Sequence, residues 1–98
     1  MKEVVYLIKN IEEYGKLIAF CIDNDINVWR TYWNERDKGT IGYHIDWNQK
    51  RCFYSRIDYW KGNNIDNKIY EIIEPSFVFD EYGKVQLIRH LENNRSKK

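Results

Sequence analysis

The sequence has few cysteines, no long apolar run and almost no excess charge of either sign. Its two cysteines, Cys21 and Cys52, are too few for a disulfide framework and lack metal-ligand spacing, which predicts reduced thiols in the core of an intracellular protein. The apolar run at residues 4–8 is too short for the hydrophobic region of a signal peptide or for a membrane span. We therefore expect a cytoplasmic protein with no membrane partner.

The charge balance excludes two classes of protein. Sixteen Lys and Arg residues face fifteen Asp and Glu residues, which leaves a net charge of +1. Neither an acidic protein that mimics DNA nor a polybasic nucleic-acid tail is compatible with this balance. The sequence also lacks repeats, low-complexity segments and any strong catalytic, metal or cofactor signature, so we expect no enzyme, no cofactor and no metal.

What the sequence does contain is a high content of apolar and aromatic residues. Hydrophobic residues make up 43% of the 98 residues and aromatic residues 16%, which is unlike a disordered chain. A chain of this length buries about two-thirds of its surface on folding, enough for one core. We expect a single domain over residues 1–91, followed by a polar C-terminal tail over residues 92–98.

The first part of the chain predicts a strand followed by an amphipathic helix. Residues 4–8 are typical of a short buried strand. Asn10 is placed to cap a helix, and Glu13 is placed to reach back and complete a capping box. Apolar residues then recur at helical spacing from Ile11 to Ile22, with charged residues on the other face.

From Ile26 onward the pattern changes to a period of two, which indicates strands. Three such segments, 26–33, 41–47 and 51–54, are separated by polar turns. We expect them to pair in sequence order as an antiparallel meander.

The last part of the chain predicts a short helix, another strand and a closing hairpin. Ser55 is placed to cap a helix over residues 56–61. Residues 69–73 resemble a strand that Pro75 interrupts, which favours an edge position or a bend, and residues 77–88 resemble a hairpin. The predicted order β-α-β-β-β-α-β-β indicates an α+β fold, with a mostly antiparallel sheet and one long amphipathic helix packed on one face.

His44 and Asp46 are the nearest approach to a catalytic arrangement. They lie two residues apart on one face of a predicted strand, and a carboxylate beside an imidazole can orient the ring and raise its pKa. No nucleophile is identifiable beside them, and a catalytic triad needs three groups in one geometry. We favour the alternative, an ordinary solvated polar face.

Aromatic side chains crowd the central strands and the short helix, on both faces of the predicted sheet. One long helix cannot cover them all, so some are expected at the surface, where Tyr and Trp provide contact area for a partner. The alternative is a core filled with large rings, several of them half-buried. The predicted partner-binding residues are Trp29, Arg30, Tyr32, Trp33, His44, Arg51, Tyr54, Arg56, Tyr59 and Trp60.

Two other interpretations remain open. Rings interleaved with basic residues are also the composition of a binder of single-stranded nucleic acid or of a nucleotide, although the two sequence motifs of the RNA-recognition module are absent. The near-zero net charge removes most of the nonspecific electrostatic attraction that such a binder uses. The third interpretation is a homodimer that buries the same aromatic residues against a second copy.

The order of several features resembles a known class of proteins. A capped helix that starts at residues 10–14 leads into Asp25-Ile26 and a Trp-bearing strand, and a hairpin then runs into the sequence Tyr-Ser-Arg-Ile-Asp-Tyr-Trp at residues 54–60, with an Ile-rich strand and Phe77 behind it. This pattern resembles small uncharacterised accessory proteins of phages and prophages of low-GC Gram-positive bacteria. The resemblance implies a protein that binds and inhibits host machinery, such as CRISPR nucleases or other defence systems, in the host cytoplasm, and it assigns no functional residue. We therefore predict a small non-enzymatic protein that inhibits or modulates a host protein.

Overall fold

In the computed structural model, residues 2–31, 33–37, 39–62 and 69–88 are described. They form β1 (Lys2–Leu7), α1 (Ile11–Asp23), β2 (Asn27–Arg30), a 3-10 turn (Glu35–Asp37), β3 (Ile41–Asp46), β4 (Arg51–Arg56), α2 (Ile57–Gly62), β5 (Ile69–Ile73), β6 (Ser76–Phe79) and β7 (Val85–Ile88). The seven strands and two helices of the described residues match the segments predicted one by one, whereas the condensed order β-α-β-β-β-α-β-β leaves out one strand of the closing hairpin. The tail predicted at residues 92–98 lies outside the described residues, so the division at residue 91 stays a prediction.

Helix α1 begins where the sequence predicts it. The side chain of Asn10 accepts a hydrogen bond of 2.8 Å from the backbone N–H of Glu13. The Glu13 carboxylate returns a bond, but it accepts from the N–H of Lys9 at 2.9 Å rather than from the cap residue itself. The chain leaves the helix through Asp25, which adopts a left-handed conformation with φ of 57°.

The main sheet is mixed, which corrects the prediction of a mostly antiparallel sheet. It has five strands in the order β2-β4-β3-β1-β5. β3 is antiparallel to both β1 and β4, whereas β5 runs parallel to β1 and β2 runs parallel to β4. β5 lies at the edge of this sheet, as Pro75 predicts, and β6 and β7 form the separate hairpin that the sequence predicts.

The predicted three-stranded meander is wrong because β2 pairs with β4 and not with β3. Asn27 lies in register with Arg51, and its N–H donates to the Lys50 carbonyl at 2.7 Å. β2 also ends before residue 33, because the N–H and the hydroxyl of Thr31 both donate to the Val28 carbonyl, at 3.1 and 2.8 Å. These local bonds turn the chain out of the extended conformation.

One face of the sheet packs against α1 and the β6–β7 hairpin. Leu17, Phe20 and Cys21 of the helix join the buried residues of the sheet, and Val85 and Leu87 of β7 complete this core. As predicted, the cysteines are free thiols buried in the core.

The opposite face is covered by α2, so the two helices lie on opposite faces of the sheet. Trp60 of α2 is buried next to Gly42 and Val5. Ser55 is a residue of β4 rather than the predicted cap, and α2 instead begins with the N–H of Ile57 donating to the Thr40 carbonyl at 2.8 Å. Neither described helix is long and apolar enough to cross a membrane.

Candidate binding groove

A groove of about 800 Å³ opens beside α2, within the size range of small-ligand sites. Residues of β3, β4, α2 and β5 and of the 3-10 turn contribute to it. Its lining consists of Asp37, Ile41, His44, Asp46, Phe53, Tyr54, Ser55, Arg56, Tyr59, Trp60 and Tyr70. We call this feature the groove.

The shape of the groove follows from the pairing of β4. β2 pairs with β4 only as far as Phe53, so the edge of β4 beyond that residue has no strand beside it among the described residues. The lining includes the four consecutive residues 53–56, which alternate between the two faces of the sheet. The groove therefore wraps around this edge, with Asp37 and Arg56 at its outer end and His44 and Asp46 at its inner end, on the α2 face.

His44 forms the floor of the inner end. It is only 8% exposed, and its Nδ1 lies 3.0 Å from the backbone carbonyl oxygen of Val4. Because a carbonyl can only accept, Nδ1 carries a hydrogen, and in the neutral form of the ring Nε2 is then an acceptor. No residue in the described part of the chain forms a hydrogen bond with Nε2.

Asp46 lies on the same face as His44, as predicted, and no hydrogen bond joins the two side chains in the described structure. The expectation of an ordinary solvated polar face is wrong at His44, because α2 covers this face and buries the ring. The Oδ1 atom of Asp46 accepts the backbone N–H groups of Asn48 at 3.0 Å and Gln49 at 3.1 Å, which stabilises the turn between β3 and β4. Among the residues described, none bonds to its Oδ2 atom. One carboxylate oxygen of this lining residue is thus used by the turn, and the other has no hydrogen-bond partner among the described residues.

A cluster of rings forms the wall beside His44. The His44 ring centroid lies 5.8 Å from that of Trp60 and 5.6 Å from that of Tyr70, and Trp60 and Tyr70 lie 4.9 Å apart. Trp60 is 5% exposed and its Nε1–H donates to the Gly42 carbonyl at 3.0 Å. Tyr59, which packs edge-on against Trp60, is 50% exposed and forms part of the rim.

The charges of the lining are mixed. Arg56 is largely exposed at the outer end and lies 3.9 Å from Asp37. Such an exposed pair contributes little stability. With Asp46 at the inner end, the described residues of the lining include two carboxylates and one guanidinium, so this part of the lining carries no excess of positive charge.

Of the seven predicted partner-binding residues whose side chains are described, five line the groove. These are His44, Tyr54, Arg56, Tyr59 and Trp60. His44 and Trp60 are buried in its floor, whereas Tyr54, Arg56 and Tyr59 are exposed.

The other predicted residues lie elsewhere or are not described. Trp33 is half-buried on the α1 side, with its ring 6.1 Å from that of Tyr14, and Arg51 is exposed outside the lining. Tyr32 and the side chains of Trp29 and Arg30 lie outside what the structure describes.

Sequence reasoning missed several residues of the groove. Phe53 and Ser55 lie in register with His44 and Gly42, so the alternation of β4 contained a signal for them. Tyr70 carried no such signal, because it reaches the groove only through the parallel pairing of β5 with β1.

The chain shows no similarity that assigns the groove a role. No family model, no curated protein and no solved structure matches it. Within the described residues, no group of three or more His, Cys, Asp or Glu side chains is arranged to hold a metal ion.

Proposed function

We propose that this chain is a small non-enzymatic binding protein, and that the groove is the surface with which it engages a larger protein. The observation that carries this proposal is the combination of an aromatic floor with exposed tyrosines and an exposed arginine at the rim. Tyr, Trp and Arg are the residue types that dominate the binding energy of protein interfaces.

The packing of the floor favours binding without rearrangement. Trp60 is fixed by its hydrogen bond to Gly42 and by contacts with two rings, His44 and Tyr70. A surface that is already ordered loses less conformational entropy when a partner binds. The groove is thus suited to receive protruding side chains of the partner.

The biological role is inferred from the sequence pattern alone. The resemblance to phage and prophage accessory proteins suggests a host protein as the partner and inhibition of a defence system as the outcome. That part of the proposal rests on the order of features along residues 5–80 and on no contact in the structure.

The nucleotide-binding interpretation fits the groove less well. A phosphate group needs an excess of cationic or N–H donors, whereas the described lining of the groove presents Asp37 and Asp46 against the guanidinium of Arg56. The homodimer interpretation would cover the same rim with a second copy of the chain.

Binding of the tagged protein to host proteins tests the proposal when it is measured with paired variants. We expect Tyr59→Ala or Arg56→Ala to lower the affinity for a captured partner by roughly thirtyfold, since Tyr and Arg at the centre of an interface contribute about 2 kcal/mol or more. Tyr82→Ala is the matched control, because Tyr82 is an exposed tyrosine outside the groove.

Three other outcomes would contradict the proposal. The first is equal loss of the partner in the Tyr59 and Tyr82 variants. The second is self-association that Tyr59→Ala abolishes, seen by light scattering, which would favour the homodimer. The third is salt-sensitive binding of oligonucleotides, which would favour the nucleic-acid interpretation.

A further inference from the structure

We propose that the inner end of the groove receives the guanidinium group of an arginine side chain on the partner protein. This inference rests on the proposed function and names the chemistry that the inner end recognises. The residues that carry it are His44, Asp46, Phe53 and Tyr70.

Two polar atoms at the inner end, one on His44 and one on Asp46, are hydrogen-bond acceptors. In the neutral ring, Nε2 of His44 is an acceptor because Nδ1 donates its hydrogen to the Val4 carbonyl. Oδ2 of Asp46 is an acceptor because a carboxylate has no hydrogen to donate, and its Oδ1 is already used by the turn. A ligand that satisfies both atoms must offer at least two donors.

The rings around these acceptors favour a planar cation. Phe53 is half-buried in register with His44, and Tyr70 meets the His44 ring edge-on at 5.6 Å. A guanidinium group is planar, stacks on aromatic rings and carries five N–H donors in a fixed arrangement. An ammonium group lacks the planar face, and a phosphate offers acceptors where the groove already has acceptors.

Among the described residues, the cations near the groove leave this end available. Arg56 lies beside Asp37 at the outer end of the groove. Arg51 is in register with Asp46, but it lies outside the lining and forms no ion pair with Asp46 in the part of the chain that is described. Because Arg51 is exposed, it would compete only weakly with a bound guanidinium for the carboxylate of Asp46.

The test is a titration of the whole ¹⁵N-labelled protein with N-acetyl-arginine amide, monitored at the imidazole nitrogens. The chain has two histidines, and His90→Gln assigns the signal of His44. We expect the arginine probe to shift the Nε2 resonance of His44. The neutral citrulline analogue, which has nearly the same shape, is expected to bind about tenfold or more weakly, since a charge-assisted bond is replaced by a neutral one.

A matched pair of variants separates the effect of the Asp46 charge from the role of its side chain in stabilising the turn between β3 and β4. Asp46→Asn keeps a side-chain oxygen for the turn but removes the charge, and we expect it to weaken the arginine probe about tenfold or more. Asp23→Asn removes an exposed carboxylate at the end of α1 and should leave the affinity unchanged.

The inference is overturned if the arginine probe produces no shift at His44, if citrulline binds equally well, or if Asp46→Asn binds as the parent does. A shift produced by inorganic phosphate instead would identify an anion site and would also overturn it. If partner binding depends on Tyr59 but the arginine probe does not compete with it, the proposed function is supported and only the inference of a guanidinium site is wrong. Competition by the probe at a captured partner would support both.

Discussion

The indole of Trp60 can reach the backbone of Gly42 because residue 42 has no side chain. Its Nε1–H donates to the Gly42 carbonyl at 3.0 Å, which joins α2 to β3. A Cβ atom at residue 42 would lie 2.5 Å from Cγ1 of Val5 and 3.0 Å from Cδ1 of Trp60. The floor of the groove therefore depends on a glycine in the interior of a strand, where glycine is otherwise unfavourable.

Gly42→Ala is expected to destabilise the protein by about 1–3 kcal/mol, because the added methyl group overlaps with Val5 and Trp60. Urea unfolding measures this difference. Gly15→Ala is the matched control, since residue 15 lies inside α1 with open space around it and should gain about 0.5–1 kcal/mol from the same change. Destabilisation of the same size in both variants would show that the close approach at Gly42 is not the cause.

Trp60→Phe tests the hydrogen bond between α2 and β3. The substitution keeps a ring in the floor of the groove but removes the N–H donor, and we expect a loss of about 1–2 kcal/mol in the free energy of unfolding. Tyr59→Phe, on the adjacent exposed ring, should change that free energy by less than about 0.5 kcal/mol. The idea fails if the two substitutions have the same effect.

Alkaline pH is expected to destabilise the fold through Cys52. The hydrogen bond with the Cys21 thiol, together with burial, raises the pKa of Cys52 well above its usual range. Above about pH 8.5 the unfolded chain loses this proton while the folded chain keeps it, so the contribution to stability is present below that pH and falls as the pH rises. The free energy of unfolding, measured from pH 7 to 10, should fall less steeply with pH for Cys52→Ala than for the parent protein. Equal slopes in the two proteins would contradict this role of Cys52.

Acid is expected to weaken the β6–β7 hairpin through Asp80. Hydrogen bonds from the backbone N–H groups of Lys84 and Tyr82, and one from the Gln86 side chain, lower the pKa of Asp80. A lowered pKa stabilises the hairpin above the unfolded value of about 3.9, and this contribution is lost as the pH falls through the folded value. Amide exchange in β6 and β7, corrected for the intrinsic effect of pH, should rise on acidification in the parent protein. The rise should be smaller in Asp80→Asn, and an identical rise in both would refute the prediction.

Local sequence patterns predicted the elements well and the pairing of strands poorly. The Asn10 cap, the limits of β5 and the alternation of His44 and Asp46 on one face all depend on residues close in sequence, and the structure contains each of them. The parallel pairing of β2 with β4 depends on contacts such as that between Asn27 and Lys50, for which a single segment has no signal.

In the candidate groove, too, the features that depend on local sequence were predictable and those that depend on tertiary contacts were not. Tyr59 and Trp60 were predicted from their place in a short aromatic helix, and both line the groove. Asp46 was considered only as a neighbour of His44, and its use by the turn could not be foreseen without the backbone geometry. The burial of Trp60 could not be predicted either, because it depends on the packing of α2 against a glycine in β3.

The position of β1 also affects the order in which the protein can be assembled. β1 lies between β3 and β5, and its partner β5 is made only after the other four strands of the sheet. During synthesis, β1 can pair with β3 early, but its second edge must wait, unpaired, until residue 73 has left the ribosome. Such an edge is open to pairing with other chains. The pairing of β1 with β5 joins residues that are far apart in sequence, and such long-range pairing slows folding.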